Sequence, residues 1–280
     1  MILLQLGICT VNVIMTVDSL RDIADCESLK PALMFLFPCY LILAYFMKNL
    51  RRISYVSLFA TVVNTLGLLL LLFFIFNERQ VGFFYQRVVS VGGLMFTIGM
   101  CMFNFSTVGV IIILDRDLRN PKIMTDKFGV IHIGLGISTI LSVIFGDLGY
   151  WAFGSMEENC LRSLPYDDFL TMLTIGAYFL SMALTYPLQS YPAIAEVIEV
   201  VKHGTAKIPT PETLKLIDTI SRPIFVTITF FIAYHVPFQG PFVAFVGNMC
   251  ASLMSVIFPI MMDISLMYNV PGAYGKYNIY

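Results

Sequence analysis

The stretch "MCMFNFSTVGVIIILDRDLRNP", residues 100–121, sets Asn104, Ser106, Thr107 and Gly109 close together in an otherwise apolar run. None of these residues carries charge, so the chemistry they suit is reversible hydrogen bonding rather than bond cleavage. Asn, Ser and Thr side chains compete with the backbone for its own hydrogen bonds. Glycine relaxes the chain. Together they can interrupt a helix at 104–109. An irregular segment at membrane depth persists only where protein or a water-filled cavity surrounds it. The freed N–H and C=O groups can then hold a solute. Small polar residues also pack closely against a neighbouring helix, and spacing alone leaves both readings open.

Two ionisable residues lie in another apolar stretch. His132, in "FGVIHIGLGIST", could relay protons, or sit at the interface and bond a backbone carbonyl, the commoner arrangement. Asp147, in "FGDLGYW", is a functional candidate by virtue of an intramembrane carboxylate's cost, and plain solvation near the headgroups explains it equally. Gln5, Asn12 and Thr16 share one face of the first apolar segment. Inter-helix hydrogen bonds account for them as well as a solute would. Gly134, Gly136, Gly146 and Gly149 allow close helix approach or hinging, and close packing is the simpler reading.

The elements that must position these residues follow from composition. Of 280 residues 58% are hydrophobic and 12% charged, against about 25% charged in a soluble domain. That balance implies an all-α polytopic membrane protein. Net charge is −1, so no basic face points to nucleic acid. The opening "MILLQLGICT" lacks a charged n-region and a small-residue cleavage site, which argues against a signal peptide. The chain shows no C-x-x-C pair, no H-E-x-x-H, no paired intramembrane aspartates and no nucleophile motif. Metal, cofactor and membrane-enzyme chemistry therefore have no carrier.

A span needs about 20 apolar residues. About eight transmembrane helices are expected, near 2–17, 31–47, 55–76, 91–114, 128–153, 168–190, 223–236 and 242–267, in one transmembrane domain over 1–280. Pro187 and Pro192 predict a kink or an end to the sixth. "PETLKLIDTI" predicts a short interfacial helix, and "VPFQGPF" a tight turn. With the N-terminus inside, the inside loops 48–54, 115–127, 191–222 and the tail hold 3, 4, 4 and 1 lysines and arginines. These are 12 of the chain's 17, which predicts an even number of spans and both termini cytoplasmic.

The residues around 103–109 resemble the amino acid/auxin permease family, most closely its proton-coupled amino acid transporter branch. The branch pattern F-G-T-x-x-F-x-F-E-G-I-G-x-V-L-P-L-E-N-x-M-K-D-P lies over "FTIGMCMFNFSTVGVIIILDRDLRNP". Phe103, Phe105, Gly109, Leu114 and Pro121 coincide, and Asp115 stands where the family has Glu. "QLGICTVNVIMTVDSLRDI", "YFMKNLRRISYVSLFATVVN", "FGDLGYWAFGS", "CLRSLP" and "FVAFVGNMCASLMSVIFPIMMDI" resemble further family segments in order. One departure falls inside the motif: the family's F-E-G is Phe105-Ser106-Thr107 here. An intramembrane carboxylate is lost, which puts proton coupling or the usual substrate preference in doubt. Ser106 and Thr107 could still form a neutral hydrogen-bonding site.

The resemblance implies an incomplete five-plus-five inverted-repeat (LeuT-like) transporter fold, with the eight spans aligned to the family's third to tenth. The first two family helices and the last are then expected to be missing. The first span's start at Met1 and the tail "NVPGAYGKYNIY" likewise suggest a chain cut from something larger. The implied function is symport of small neutral amino acids by alternating access. The alternative is a truncated, transport-inactive membrane protein that assembles with a partner or acts as a sensor. The implied substrate-binding residues are Phe103, Asn104, Phe105, Ser106, Thr107 and Gly109, with Ser181, Tyr186 and Gln189 from the sixth span. His132 and Asp147 are the proton-coupling candidates. The implied partners are an amino acid, a proton and the lipid bilayer, in a plasma, lysosomal or vacuolar membrane. Cys26 and Cys160 fall in loops on the non-cytoplasmic side, where members of the branch join the two loops by a disulfide. The resemblance implies that bond here.

Overall fold

The structure, a computed structural model, describes residues 1–24, 29–77, 91–106, 109–111, 129–153, 161, 164, 168–204, 210–236 and 238–268. Among them every regular element is helical. The helices are α1 (Ile2–Ala24), α2 (Leu29–Phe46), α3 (Leu50–Asn77), α4 (Val91–Asn104), α5 (Val130–Phe153), α6 (Phe169–Gly204), α7 (Pro211–His235) and α8 (Gln239–Phe245). Two π-helical turns, Val246–Ala251 and Leu253–Ile257, lead from α8 into α9 (Phe258–Tyr268). Seven of the helical stretches are long and apolar enough to cross a membrane, and α2 supplies a shorter apolar one. The chain is an integral, multi-pass, all-α membrane protein.

α1 occupies the centre. It is buried from Leu4 through Ser19 with few gaps, although it carries Gln5, Thr10, Asn12, Thr16, Asp18 and Ser19. Polar groups in lipid carry a large cost, so a helix this polar belongs inside the bundle. Thr10 donates to the Leu6 carbonyl at 2.8 Å, Thr16 to Asn12 at 2.8 Å and Ser19 to Met15 at 3.0 Å. Asn12 Nδ2 donates to Thr185 Oγ1 at 3.2 Å, which fastens α1 to α6. Around this axis α6 packs along α1, with α7 and α2 on another side. α3 lies against α6, and α5 touches mainly α3. The outer faces of α3 and α5 are apolar and exposed, with Leu66, Leu69, Ile137 and Ile140 among them, as a lipid-facing surface requires.

Several ends differ from the expectation for a physical reason. α6 does not end at Pro187 or Pro192 but runs to Gly204. The two prolines leave the Ala183 and Leu188 carbonyls without their i+4 donors, and Ser190 Oγ donates to the Pro187 carbonyl at 3.2 Å between them. At 1.5 Å per residue α6 is about 54 Å long, so it extends well beyond the hydrocarbon layer. "PETLKLIDTI" is not a separate interfacial helix but the first turns of α7. Thr210 caps it by accepting from the Thr213 N–H at 3.4 Å, with Pro211 in the first turn.

Arg222, 5% exposed, binds α7 to the end of α2. Its Nη2 lies 2.8 Å from Asp218 Oδ1, and its Nη1 donates to the Met47 and Ala44 carbonyls at 3.3 and 3.5 Å. A cation at a helix C-terminus satisfies the last carbonyls there. Arg222→Leu is expected to destabilise the fold by about 2 kcal/mol, because Asp218 is partly exposed and can hydrate once unpaired. Arg222→Lys keeps the charge but loses the fork and should fall between. Thermal unfolding in detergent measures the series.

Candidate functional site

The interruption in the fourth span lies where its polar residues are. α4 winds regularly to Asn104, Phe105 is a turn residue, Ser106 has no regular structure, and helical winding resumes at 109–111. Thr107 and Val108 lie outside the described residues. The Phe105 N–H donates to the Cys101 carbonyl at 3.1 Å, the last α-type bond. The Ser106 N–H then donates to the Phe103 carbonyl at 3.1 Å, a tighter turn. Ser106 Oγ donates to the same carbonyl at 2.8 Å. This doubled bond is local competition with helix extension. Asn104 Nδ2 donates to Ser142 Oγ at 2.8 Å and so fixes the end of α4 to α5.

Three elements converge on the break. The start of α1 lies across it: Leu4 and Ile8 pack with Met102 and Phe103. A Cβ added to Gly109 would run into the Gln5 carboxamide, with Gln5 Cδ at 3.1 Å. α8 and the first π-turn lie along α4. A Cβ on Gly99 would meet Ala244 backbone and the Asn248 amide, and one on Gly247 would overlap the Gly99 carbonyl. Asn248 Nδ2 donates to the Met95 carbonyl at 2.8 Å. π-turns are rare and frequent at functional sites. The close helix approach expected at Gly134, Gly136 and Gly146 is not there. Nothing lies within 4 Å of a Cβ at those positions. It occurs instead at Gly7, Gly99 and Gly247, and of the four expected positions Gly149 is buried.

Beside the break is a cleft of about 410 Å³ lined by Met15, Thr97, Met100, Cys101, Phe103, Asn104, Gln239, Gly240 and Val243. The Gln239 amide donates to the Met15 thioether across it. This lining contains no carboxylate, lysine, arginine or histidine. An apolar wall with a few placed polar groups suits a small solute.

Of the residues singled out from sequence, Phe103, Asn104, Phe105, Ser106 and Gly109 come together here, and Thr107 lies outside the described residues. Ser181 and Tyr186 are held elsewhere. Ser181 Oγ donates to the Ala60 carbonyl of α3 at 3.1 Å. Tyr186 is fully buried with its hydroxyl 3.0 Å from Thr229 Oγ1. His132 and Asp147 are both exposed on α5, about 22 Å apart along its axis at 1.5 Å per residue. Cys26 and Cys160 lie outside the described residues, and Cys9, Cys39, Cys101 and Cys250 are free thiols. Sequence reasoning missed Gln239 and Asn248. Their only signal was an amide placed inside or at the edge of an apolar run.

The family described as "Transmembrane amino acid transporter protein" matches residues 1–276. Curated relatives are similar at lower identity. A Drosophila melanogaster protein named "Proton-coupled amino acid transporter-like protein pathetic" is 27% identical over 85% of this chain and 49% of its own length. The "Vesicular GABA transporter" of Caenorhabditis elegans is 23% identical over 91% of this chain and 53% of its own. "Vacuolar amino acid transporter 4" of Saccharomyces cerevisiae is 28% identical over 78% and 34%. The chain thus spans about half the length, or less, of these relatives. No solved structure matches.

Proposed function

This chain belongs to the transmembrane amino acid transporter protein family, and on that premise we propose that it moves small neutral amino acids across a membrane by alternating access, coupled to protons. One observation carries the reading: an apolar helix stops at Asn104, winds again at 109, and borders a cleft whose lining bears no charge. An amino acid zwitterion brings a carboxylate and an ammonium that both need partners in a dry setting. Main-chain N–H groups after a break suit the carboxylate, and the carbonyl end of the preceding half-helix suits the ammonium. A charged side chain would find no counter-charge in this cleft, which favours a neutral one. Phe103, Asn104, Phe105, Ser106, Thr107 and Gly109 form the proposed contact set. Ser181 and Tyr186 join it only if their bonds to Ala60 and Thr229 are released.

Proton coupling is supported by the printed name of the Drosophila relative and is opposed by the loss of the motif carboxylate at Ser106. His132 and Asp147 are the proposed proton carriers. The test is uptake of labelled glycine, alanine or proline by the chain in liposomes, with and without an inward proton gradient. Saturable uptake above protein-free liposomes, raised by the gradient, is expected. No saturable uptake under either condition overturns the reading in favour of a transport-inactive protein that assembles or senses. His132→Gln or Asp147→Asn should abolish the gradient effect while sparing exchange at equal pH. If neither does, they are not the carriers. Orientation with both termini cytoplasmic rests on the basic-residue bias and is tested by the accessibility of terminal tags. A plasma, lysosomal or vacuolar membrane is tested by localising the tagged chain.

Ser106→Ala removes one of the two bonds that hold the Phe103 carbonyl. The break should lose definition, and uptake is expected to fall about tenfold, which corresponds to about 1.4 kcal/mol. Thermal stability should move little.

A further inference from the structure

The geometry points to Gln5 as a direct, uncharged contact for the carried solute at the helix break. This rests on the transport reading above. Gln5 has no exposed surface. Neither its Nε2 nor its Oε1 has a hydrogen-bond partner among the described residues. The other buried polar side chains of α1 behave differently. Thr10, Thr16 and Ser19 bond back to their own helix, and Asn12 reaches Thr185. Gln5 alone among these leaves both ends of its amide unused, and it does so against Gly109, where helical winding resumes.

A carboxamide offers one donor end and one acceptor end. Burying both unmet is unfavourable in a low-dielectric interior, so the arrangement is out of balance until something polar arrives. What would balance it is a solute carrying an acceptor and a donor close together, as the carboxylate and ammonium of an α-amino acid do. Gly109 has a role in this. Any side chain there would occupy the place of the Gln5 amide, so glycine keeps the break open to α1. Because the amide carries no charge, it contributes contact without a preference for acidic or basic side chains.

The test uses the full chain in detergent and in liposomes. Gln5→Met keeps the length of the side chain and removes both polar atoms. Gln5→Asn keeps the amide and withdraws it by one methylene. If Gln5 only fills space, Gln5→Met should leave the KM for labelled alanine unchanged, and it should melt at or above the parent temperature in either case because unmet polar atoms are gone. If it contacts solute, KM rises tenfold or more in Gln5→Met. The protection that saturating alanine gives against heat should vanish with it. Gln5→Asn should lie between. An unchanged KM in Gln5→Met with the parent still transporting overturns this inference and leaves the transport reading intact. A parent that neither transports alanine nor is protected by any neutral amino acid overturns both.

Discussion

Gly247→Leu is expected to prevent recovery of a monodisperse protein, and Gly247→Ala to lower stability by about 1–3 kcal/mol, the range for overpacking a closed contact. A Cβ at this position overlaps the Gly99 carbonyl, comes within 2.7 Å of its carbon, and lies 3.0 Å from the Phe103 nitrogen. All three are backbone atoms, so no side chain can turn aside. The only relief is to part α4 from the π-turn of Val246–Ala251. Helices approach this closely in membranes through small residues, and here the contact sits one helical turn from the break. Parting the pair would move Phe103, whose carbonyl takes both Ser106 bonds. Uptake should therefore fall further in Gly247→Ala than its loss of stability alone explains. The controls are Gly134→Ala and Gly136→Ala, where a Cβ meets nothing within 4 Å. Those should be neutral or stabilising, by up to about 1 kcal/mol from helix propensity. Size-exclusion after a heating series reads all four. Equal losses at Gly136 and Gly247 would sink the account.

The contrast between those glycines shows what the sequence could and could not convey. The all-α, multi-pass class was legible because runs of about 20 apolar residues have one stable use. The break was legible because Asn104, Ser106, Thr107 and Gly109 each weaken a helix by a local mechanism that needs no partner. Helix ends were less so. α6 runs through Pro187 and Pro192 to Gly204, packed along α1 and α3, and that packing is tertiary information. Which glycines are crowded was not legible at all. Gly99 and Gly247 come from spans far apart in the chain, and nothing local says that they face each other. Gln5, Asn12 and Thr16 shared a face and looked alike. Only the fold separates Asn12, with Thr185 opposite, from Gln5, which has no partner among the described residues. The same holds for Ser181 and Tyr186, whose partners on α3 and α7 take up hydrogen bonds that the sequence left free for a solute.

Tyr40→Ala is expected to be the most damaging single truncation in the bundle core, at about 4 kcal/mol, within the range for removing a buried aromatic ring. Tyr40 is 1% exposed. Its ring meets Tyr186 edge-on at 4.7 Å and Phe230 at 5.3 Å, so α2, α6 and α7 all lean on it. Its hydroxyl donates to Thr16 Oγ1 at 2.7 Å, and Thr16 donates on to the Asn12 carbonyl, which adds α1 to the same junction. Tyr40→Phe separates the two contributions. It keeps the ring contacts and removes one buried hydrogen bond, worth about 1 kcal/mol. The hydroxyl of Thr16 still has its own acceptor, so the smaller figure should hold. Because α1 also lays Gln5 against the break, loosening this junction should reach the site. In Tyr40→Phe, uptake should track the small stability loss. In Tyr40→Ala, any protein recovered should bind amino acid more weakly, since the start of α1 is no longer held against α4. A Tyr40→Phe variant as unstable as Tyr40→Ala would mean that the hydroxyl network, not ring packing, holds the centre of this bundle.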